Sequence, residues 1–161
     1  MKCINAALLL SLAILASNGF AATGTCNYGD VVIESEDCLN TFDISIYNNS
    51  SYNCDLASQT VVYGDLHSNN RVPAYLAPGS HQNFQMVETD RGASIRLTYV
   101  CEDHHQITLL SHSNLRPGFL RSTNHMKGTV ENSENMVGFV TKSFNGFREN
   151  SKIDWILERA E

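Results

Sequence analysis

Residues 93–101 have the sequence ASIRLTYVC, in which apolar and polar side chains alternate. A period of two residues is typical of a β-strand with one buried face. The face that we expect to be buried carries Ile95, Leu97, Tyr99 and Cys101. Residues 41–47, TFDISIY, repeat this alternation, so the chain contains at least two half-buried strands.

Further runs with strand character lie on both sides of these two, separated by residues that favour turns. The runs cover residues 56–63, 72–76, 83–87, 106–111, 136–144 and 147–157. The Pro-Gly pair at 78–79 suits a type II turn, and the Asn-Gly pair at 145–146 is typical of a β-hairpin. Because no long stretch has a helical period, this spacing predicts an all-β fold, a single antiparallel β-sandwich stabilised by disulfides.

Two segments are less clearly patterned. Ser151 and Asp154 have the spacing of a helix cap, but Ile153, Trp155 and Leu157 alternate as in a strand, and the Asn-Gly hairpin signal favours the strand. Residues 112–135 are polar and weakly patterned, and we expect a long loop from His112 to Lys127.

The composition excludes several classes of protein. The chain has 161 residues, of which 42% are hydrophobic and 17% are charged, and a formal net charge of −6. The charged fraction lies below the roughly 25% of average soluble domains. A coiled coil and an acidic disordered chain are therefore not expected. The single long apolar run lies at the N-terminus, which argues against a membrane protein with several spans.

Residues 1–21 are typical of a secretory signal peptide. Lys2 supplies a positive charge, residues 6–16 (AALLLSLAILA) form an apolar core, and small residues precede the expected cleavage before Ala22. The core is shorter than the roughly 20 residues that span a bilayer, so no transmembrane segment is expected after cleavage. We expect a secreted or periplasmic protein with a disulfide-pinned acidic segment at 22–40 and a β-sandwich domain at 41–161.

Four of the five cysteines lie after the expected cleavage point, namely Cys26, Cys38, Cys54 and Cys101. An even number in an exported chain predicts two disulfides, and no spacing here fits the C-x₂₋₄-C pattern of a structural zinc site. Cys54 and Cys101 share the inward parity of their strands. They could therefore meet across the sandwich and leave Cys26 to pair with Cys38, although the two other pairings stay open.

Charge is distributed unevenly after residue 21. Residues 22–90 carry nine acidic residues and one arginine, whereas residues 91–161 are close to neutral. The acidic half argues against binding to nucleic acid. The expected loop is basic with an apolar tip, which suits an anionic headgroup or an acidic partner, although an ordinary packed loop is the alternative. Its candidate binding residues are Arg116, Phe119, Arg121 and Lys127.

A second candidate site follows the strand at 93–101. It consists of Glu102, Asp103, His104 and His105. Carboxylates and imidazoles together can bind zinc or copper. Neighbouring side chains diverge in a strand or tight turn, so a solvated hairpin turn is the alternative. The other histidines, at 67, 81, 112 and 125, lie in expected loops and could gather at one end of the sandwich, where binding would respond to acid.

The sequence contains no assembled catalytic set. It has neither a G-x-S-x-G elbow nor an H-E-x-x-H motif, and disulfide-bonded cysteines offer no thiol nucleophile. An enzyme is therefore not the leading hypothesis, and no cofactor is expected.

Three stretches combine a strand with turn residues: FDISIYNNSSYNCDL from residue 42, VPAYLAPGS from residue 72 and GASIRLTYVC from residue 92. In these motifs residues 42–111 resemble small secreted β-sandwich proteins of the aegerolysin kind. The resemblance implies lipid binding and assisted pore formation, while the cysteines and the acidic N-terminal segment depart from it. More loosely, the whole chain resembles the small disulfide-bonded proteins that Gram-negative bacteria export.

Three functional hypotheses follow. The first is a secreted non-enzymatic binding module, such as an exported effector, that presents loops to a protein, glycan or lipid partner. The second is a membrane-active lipid-binding protein of the aegerolysin kind. The third is a metal-dependent hydrolase that uses the histidines.

Overall fold

The computed structural model describes residues 24–28, 31–35, 40–67, 70–89, 91–116, 123–144 and 151–161. Over these residues the chain is almost entirely β-strand, with one 3₁₀ turn at Glu102–His104, so the all-β prediction is confirmed. No helix in this described part is long and apolar enough to cross a membrane. The expected signal peptide lies outside the described residues.

Twelve strands are present in the described ranges. They are β1 Gly24–Tyr28, β2 Val31–Ser35, β3 Thr41–Asn48, β4 Cys54–Tyr63, β5 Asp65–Leu66, β6 Tyr75–Leu76, β7 His81–Val87, β8 Ala93–Cys101, β9 Gln106–Arg116, β10 Thr123–Glu134, β11 Met136–Phe144 and β12 Ser151–Arg159.

The strands form two five-stranded sheets and a hairpin. Sheet I has the order β10-β9-β8-β4-β6, and sheet II has the order β11-β12-β3-β7-β5. The hairpin pairs β1 with β2 in the segment for which an acidic arm or loop was predicted, and the β-branched run Val31–Ile33 accounts for the strand there.

One strand pair contradicts a purely antiparallel sandwich. β12 pairs with β3 in parallel at the centre of sheet II, whereas its other neighbour, β11, is antiparallel. Alternation of side chains shows which face of a strand is buried but not the direction of its neighbour. β3 and β12 are far apart in sequence, so no tight turn sets their direction.

The core lies between the two sheets. Its members are the inward side chains of strands in which inward and outward residues alternate. Its largest fully buried side chains are Phe42, Ile44, Ile46, Leu76, Phe84, Met86, Ile95, Leu97, Tyr99, Ile107, Leu109 and Trp155. The residues predicted from ASIRLTYVC are therefore in the core. The C-terminal segment is strand β12 and not a helix, as the alternation of Ile153, Trp155 and Leu157 favoured.

The disulfide between Cys54 and Cys101 is present, but it does not cross the sandwich. The two cysteines lie directly opposite each other on β4 and β8 within sheet I, with their Cα atoms 3.9 Å apart. Both are buried, as their parity predicted. Parity could not show that their strands are neighbours. The expected bridge between Cys26 and Cys38 lies partly outside the described residues, because Cys38 is not described.

The expected loop from His112 to Lys127 is wrong where the structure describes it. β9 extends to Arg116 and β10 begins at Thr123, and the two strands pair along their length. Gly128 explains why β10 has a weak pattern. A Cβ atom at this inward position would lie 2.6 Å from Val140 Cγ2 of the facing sheet, so the sheets approach too closely for an apolar side chain.

The sandwich has two ends that are used below as landmarks. At the Asn48 end, β3, β8, β10 and β12 finish, and β4, β7, β9 and β11 begin. At the Tyr63 end, β4 and β9 finish and β8 begins.

Candidate functional site

The outer face of sheet II carries a continuous row of apolar and aromatic side chains. Phe139 on β11 lies directly opposite Ile156 on β12. Ile156 lies opposite Tyr47 on β3, and Tyr47 lies opposite His81 on β7. Directly opposed residues share a face of the sheet. These four residues, the outer row, therefore cross four neighbouring strands, a span of about 14 Å at 4.8 Å per strand.

The outer row is partly accessible to solvent. Phe139 is 51% exposed and His81 is also exposed, whereas Tyr47 and Ile156 are half-buried. The rings of Tyr47 and His81 stack with their centroids 4.1 Å apart and an angle of 7° between their planes. Single apolar side chains on a surface are ordinary, whereas contiguous ones mark contact surfaces. The outer row is therefore a candidate contact surface.

The same face becomes polar towards the Tyr63 end. Lys152 Nζ lies 3.1 Å from Asp154 Oδ1, and this hydrogen bond, together with the negative charge of Asp154, raises the pKa of Lys152. Gln85 donates a hydrogen bond of 2.8 Å to Asp43. The apolar part of the face is therefore confined to the region near the Asn48 end.

The chain carries further aromatic residues at the Asn48 end, outside the outer row. The ring centroids of Tyr52 and His105 are 4.4 Å apart, and Arg159 Cζ lies 5.8 Å from the centroid of Tyr52. Tyr75 is 49% exposed, and its hydroxyl donates to Asn53 Oδ1. Tyrosine has an apolar body and a polar tip, which suits the boundary between an apolar layer and water.

Asn48 holds these loops in place. Its side chain is completely buried, and its amide nitrogen donates to the carbonyl oxygens of Tyr52 at 2.8 Å and Leu76 at 3.0 Å. Its carbonyl oxygen accepts a bond of 3.1 Å from the backbone nitrogen of Ser50. Asn48 is the last residue of β3, and through these bonds it connects the turn that follows β3 with β6.

The four candidate metal ligands lie at the Asn48 end, in and next to the 3₁₀ turn. Asp103 and His104 adopt left-handed backbone conformations, with φ of 59° and 64°. Glu102 accepts a hydrogen bond of 2.5 Å from Asn53, while His105 contacts Tyr52. Among the residues that the structure describes, no three His, Cys, Asp or Glu side chains are placed to hold a metal ion. The geometry thus adds no support to a metal site.

The candidate basic loop lies at the opposite end. Arg116 is the last residue of β9, and Lys127 is an exposed residue of β10. Phe119 and Arg121 lie outside the described residues. The structure therefore separates the basic segment from the turn at Glu102–His104 by the length of β9. The two candidate sites do not form one surface.

The histidines do not gather at one end either. His81 and His105 lie at the Asn48 end, whereas His112 lies towards the Tyr63 end of β9. The hydroxyl of Tyr63 contacts the imidazole of His112, with Nδ1 the nearer ring nitrogen and Nε2 3.0 Å from the oxygen. Ser94 lies between these two residues in the sheet. Burial, and then the charge of Lys127, lower the pKa of His112, and burial raises the pKa of Tyr63.

The outer row was not identified from the sequence, although two signals for it exist. Tyr47 falls on the face of TFDISIY that otherwise carries Asp43 and Ser45, and Ile156 lies between two core residues of β12. Each is an apolar residue at a polar position. Only the strand order shows that these positions are neighbours.

The fold and the surface together define a two-sheet β-sandwich with an exposed apolar row beside one end. In fold it agrees with the aegerolysin-like resemblance of residues 42–111. One solved structure with a similar fold is "lipid binding protein Nakanori", with a TM-score of 0.53 and 8% identity over 74% of this chain and 71% of that one. Another is IP-1A from Alcaligenes faecalis, with a TM-score of 0.51 and 9% identity over 76% of this chain and 93% of that one.

These likenesses establish the fold alone, since the sequences share so few residues. No protein-family model matches the chain, and no curated protein sequence matches it.

Proposed function

We propose that this chain is an exported protein that binds a lipid surface through the outer row. The observation that carries the proposal is the continuity of Phe139, Ile156, Tyr47 and His81 across four strands, with Phe139 half exposed. The fold that the chain shares with a lipid-binding protein supports a lipid partner over a protein or glycan partner.

The charges favour a zwitterionic lipid surface over an anionic one. The chain has a net charge of −6, and Asp154 and Glu158 lie on β12 close to the outer row. An anionic bilayer would repel this face, whereas tyrosine and histidine rings are at home among polar headgroups. We therefore expect binding to depend on apolar contact and to change little with salt.

The expected size of the effect follows from the exposed area. Complete burial of a Phe side chain is worth about 1.5–3 kcal/mol, so the exposed half of Phe139 contributes about 0.8–1.5 kcal/mol when it enters the headgroup region. Removing this side chain should weaken binding about three- to tenfold. The remaining residues of the outer row should still support binding, so this loss of affinity is measurable.

The test is co-sedimentation with phosphatidylcholine vesicles. Phe139→Ser and Tyr47→Ser should each lower the bound fraction. Leu110→Ser is the matched control, because Leu110 is a partly exposed, outward residue on the outer face of sheet I. Equal binding by all three variants and the unchanged chain would contradict the proposal.

The alternative, in which the basic residues contact the membrane, predicts the opposite results in a parallel experiment. If Arg116, Arg121 and Lys127 contacted the membrane, binding would require an anionic lipid such as phosphatidylserine and would fall steeply between about 0.1 M and 1 M salt. The Arg116→Gln/Arg121→Gln variant would then lose binding while Phe139→Ser kept it. This pair of results would overturn the outer-row proposal.

Export is part of the proposal and has its own test. N-terminal sequencing of protein recovered outside the cytoplasm should begin at Ala22. Material that retains residues 1–21 would contradict cleavage of the expected signal peptide.

A further inference from the structure

Four polar side chains form a row across the outer face of sheet I, close to the Tyr63 end. Tyr63 on β4 lies opposite Ser94 on β8, and Ser94 lies opposite His112 on β9. His112 in turn lies opposite Lys127 on β10. Directly opposed residues share a face of the sheet. We call these four residues the polar row, which lies on sheet I, whereas the outer row lies on sheet II.

Ser94 brings two members of the polar row together. Tyr63 and His112 stand two strands apart, a spacing of about 9.6 Å. Their ring centroids are nevertheless only 5.4 Å apart, and the hydroxyl of Tyr63 contacts the imidazole. Ser94 between them is small and almost completely buried, so both rings close over it. The polar ends of the two rings are therefore held beside each other before any ligand arrives.

Lys127 is the charged member of the polar row. It is exposed, and neither ion pair of the described residues includes it. Its charge reaches its neighbour, because it contributes, after burial, to the lowered pKa of His112. The positive potential of Lys127 therefore acts on the polar row with no ion pair in the described part of the chain to neutralise it.

The sequence around the polar row is basic although the chain as a whole is acidic. The net charge is −6, but residues 105–130 contain Arg116, Arg121 and Lys127 and no acidic residue. On the neighbouring β8, the charge of Arg96 is neutralised by Glu131, whose carboxylate lies 3.0 Å from Nη2 of the guanidinium. The local positive charge favours an anion at this place.

We infer that the polar row binds the phosphate group of a phosphate monoester. Arginine, with its planar fork, suits a carboxylate, but Arg96 on this face is already paired, whereas lysine binds phosphate as a point charge. A phosphate monoester carries a charge of about −1.5 to −2 and three strong acceptor oxygens. The ammonium group of Lys127, the hydroxyl of Tyr63 and an N–H group of His112 supply three donors.

The protonation states of the polar row suit this role. Burial, only partly offset by a hydrogen bond with Ser94, raises the pKa of Tyr63, so its hydroxyl keeps its proton at neutral pH. Burial and then the charge of Lys127 lower the pKa of His112, which keeps the empty site from carrying a second charge. A bound phosphate opposes the charge of Lys127 and favours the protonated imidazole. Binding should therefore raise the pKa of His112.

Two more titratable residues are diagonal neighbours of His112 in the register. Arg96 on β8 lies opposite Leu110, and His125 on β10 lies opposite Asn114. Arg96 is neutralised by its ion pair. A His125→Gln background keeps the titration of the second residue out of the measurement.

NMR titration with inorganic phosphate tests the site. Phosphate should shift the resonances of His112 saturably and raise its pKa. We expect a dissociation constant on the order of 1 mM, because a few exposed polar contacts yield little net affinity. His81, exposed on the opposite sheet, is the internal reference and should not respond. If sodium chloride of equal ionic strength shifts His112 as far as phosphate does, screening of Lys127 accounts for the effect and the proposal is overturned.

Single variants test the assigned donors. Lys127→Gln should weaken phosphate binding about tenfold, and Tyr63→Phe, which keeps the ring, about threefold. Lys152→Gln is the matched control, because it removes the same charge from the outer face of sheet II and should leave the affinity unchanged. Equal affinities in Lys127→Gln and Lys152→Gln would overturn the assignment.

A second probe separates a soluble phosphate compound from a lipid headgroup. The polar row and the outer row lie on opposite faces of the sandwich, so we expect a soluble compound. Lys127→Gln should then bind vesicles of phosphatidylcholine and phosphatidic acid as well as the unchanged chain does. Weaker binding by this variant would keep the site and assign its phosphate to a lipid headgroup. Phe139→Ser should retain the response of His112 to phosphate, so this site and the proposed lipid surface can fail independently.

Discussion

Gly128 provides the sharpest test of how the two sheets fit together. A Cβ atom built there would lie 2.6 Å from Val140 Cγ2 and 2.9 Å from both Ile153 Cδ1 and Trp155 Cζ2. Real Cβ atoms do not approach neighbours so closely, and Trp155 is fully buried and has little space to move. Overpacking of a core costs about 1–3 kcal/mol. With three neighbours in conflict, we expect Gly128→Ala to lower the free energy of unfolding by about 2–3 kcal/mol.

Trp155 makes the measurement simple, because it is the only tryptophan of the chain and lies beside Gly128. Its fluorescence during thermal unfolding should show a midpoint temperature about 8–12 °C lower for Gly128→Ala. Thr129→Ala is the control, since the next residue of β10 faces outwards and should change stability by less than about 0.5 kcal/mol. A Gly128→Ala variant as stable as this control would refute the close approach of the sheets.

Two further predictions concern the disulfide and the response to acid. Replacing both Cys54 and Cys101 by Ala should lower the free energy of unfolding by about 4 kcal/mol, the chain-entropy value for a separation of 47 residues, and an unchanged urea midpoint would contradict this. For His112, which faces Tyr63 and Lys127, burial and then Lys127 lower the folded-state pKa below its unfolded value near 6.5. Its contribution to stability is therefore complete above pH 6.5 and is lost as pH falls through the folded pKa. NMR titration should place the pKa of His112 below 6.5 and move it upwards in Lys127→Gln; an equal pKa in both proteins would exclude the effect of Lys127.

Much of the core could be predicted from the sequence, because a half-buried strand alternates with a period of two. ASIRLTYVC and TFDISIY therefore identify buried residues directly, and the same parity places Cys54 and Cys101 inside. Strand order is a different kind of information. The parallel pairing of β12 with β3 joins residues more than a hundred positions apart, and no local pattern encodes it.

The failures have physical causes of the same kind. The strand pattern of β10 is weak because Gly128 occupies an inward position where close packing excludes a side chain, and the expected loop from His112 to Lys127 therefore includes the start of this strand. Asn48 is buried although a polar side chain is normally exposed, because its side chain is bonded both to the turn that follows it, at Ser50 and Tyr52, and to Leu76 of β6, which no local pattern reveals. The sequence signals single members of the outer row, Tyr47 and Ile156, but does not assemble them, because the members are spread over four strands. The residues of the outer row become a surface only through the register of sheet II.

The central claim is that the outer row enters the lipid surface, and site-specific fluorescence quenching tests it most directly. Tryptophan can be placed on either face, as Phe139→Trp on sheet II and as Leu110→Trp on sheet I. The native Trp155 is only 1% exposed. With vesicles of brominated phosphatidylcholine, the fluorescence of Phe139→Trp should be quenched relative to the unchanged chain, and that of Leu110→Trp should not. The account would be contradicted if Leu110→Trp were quenched and Phe139→Trp were not, or if neither variant were quenched at saturating lipid.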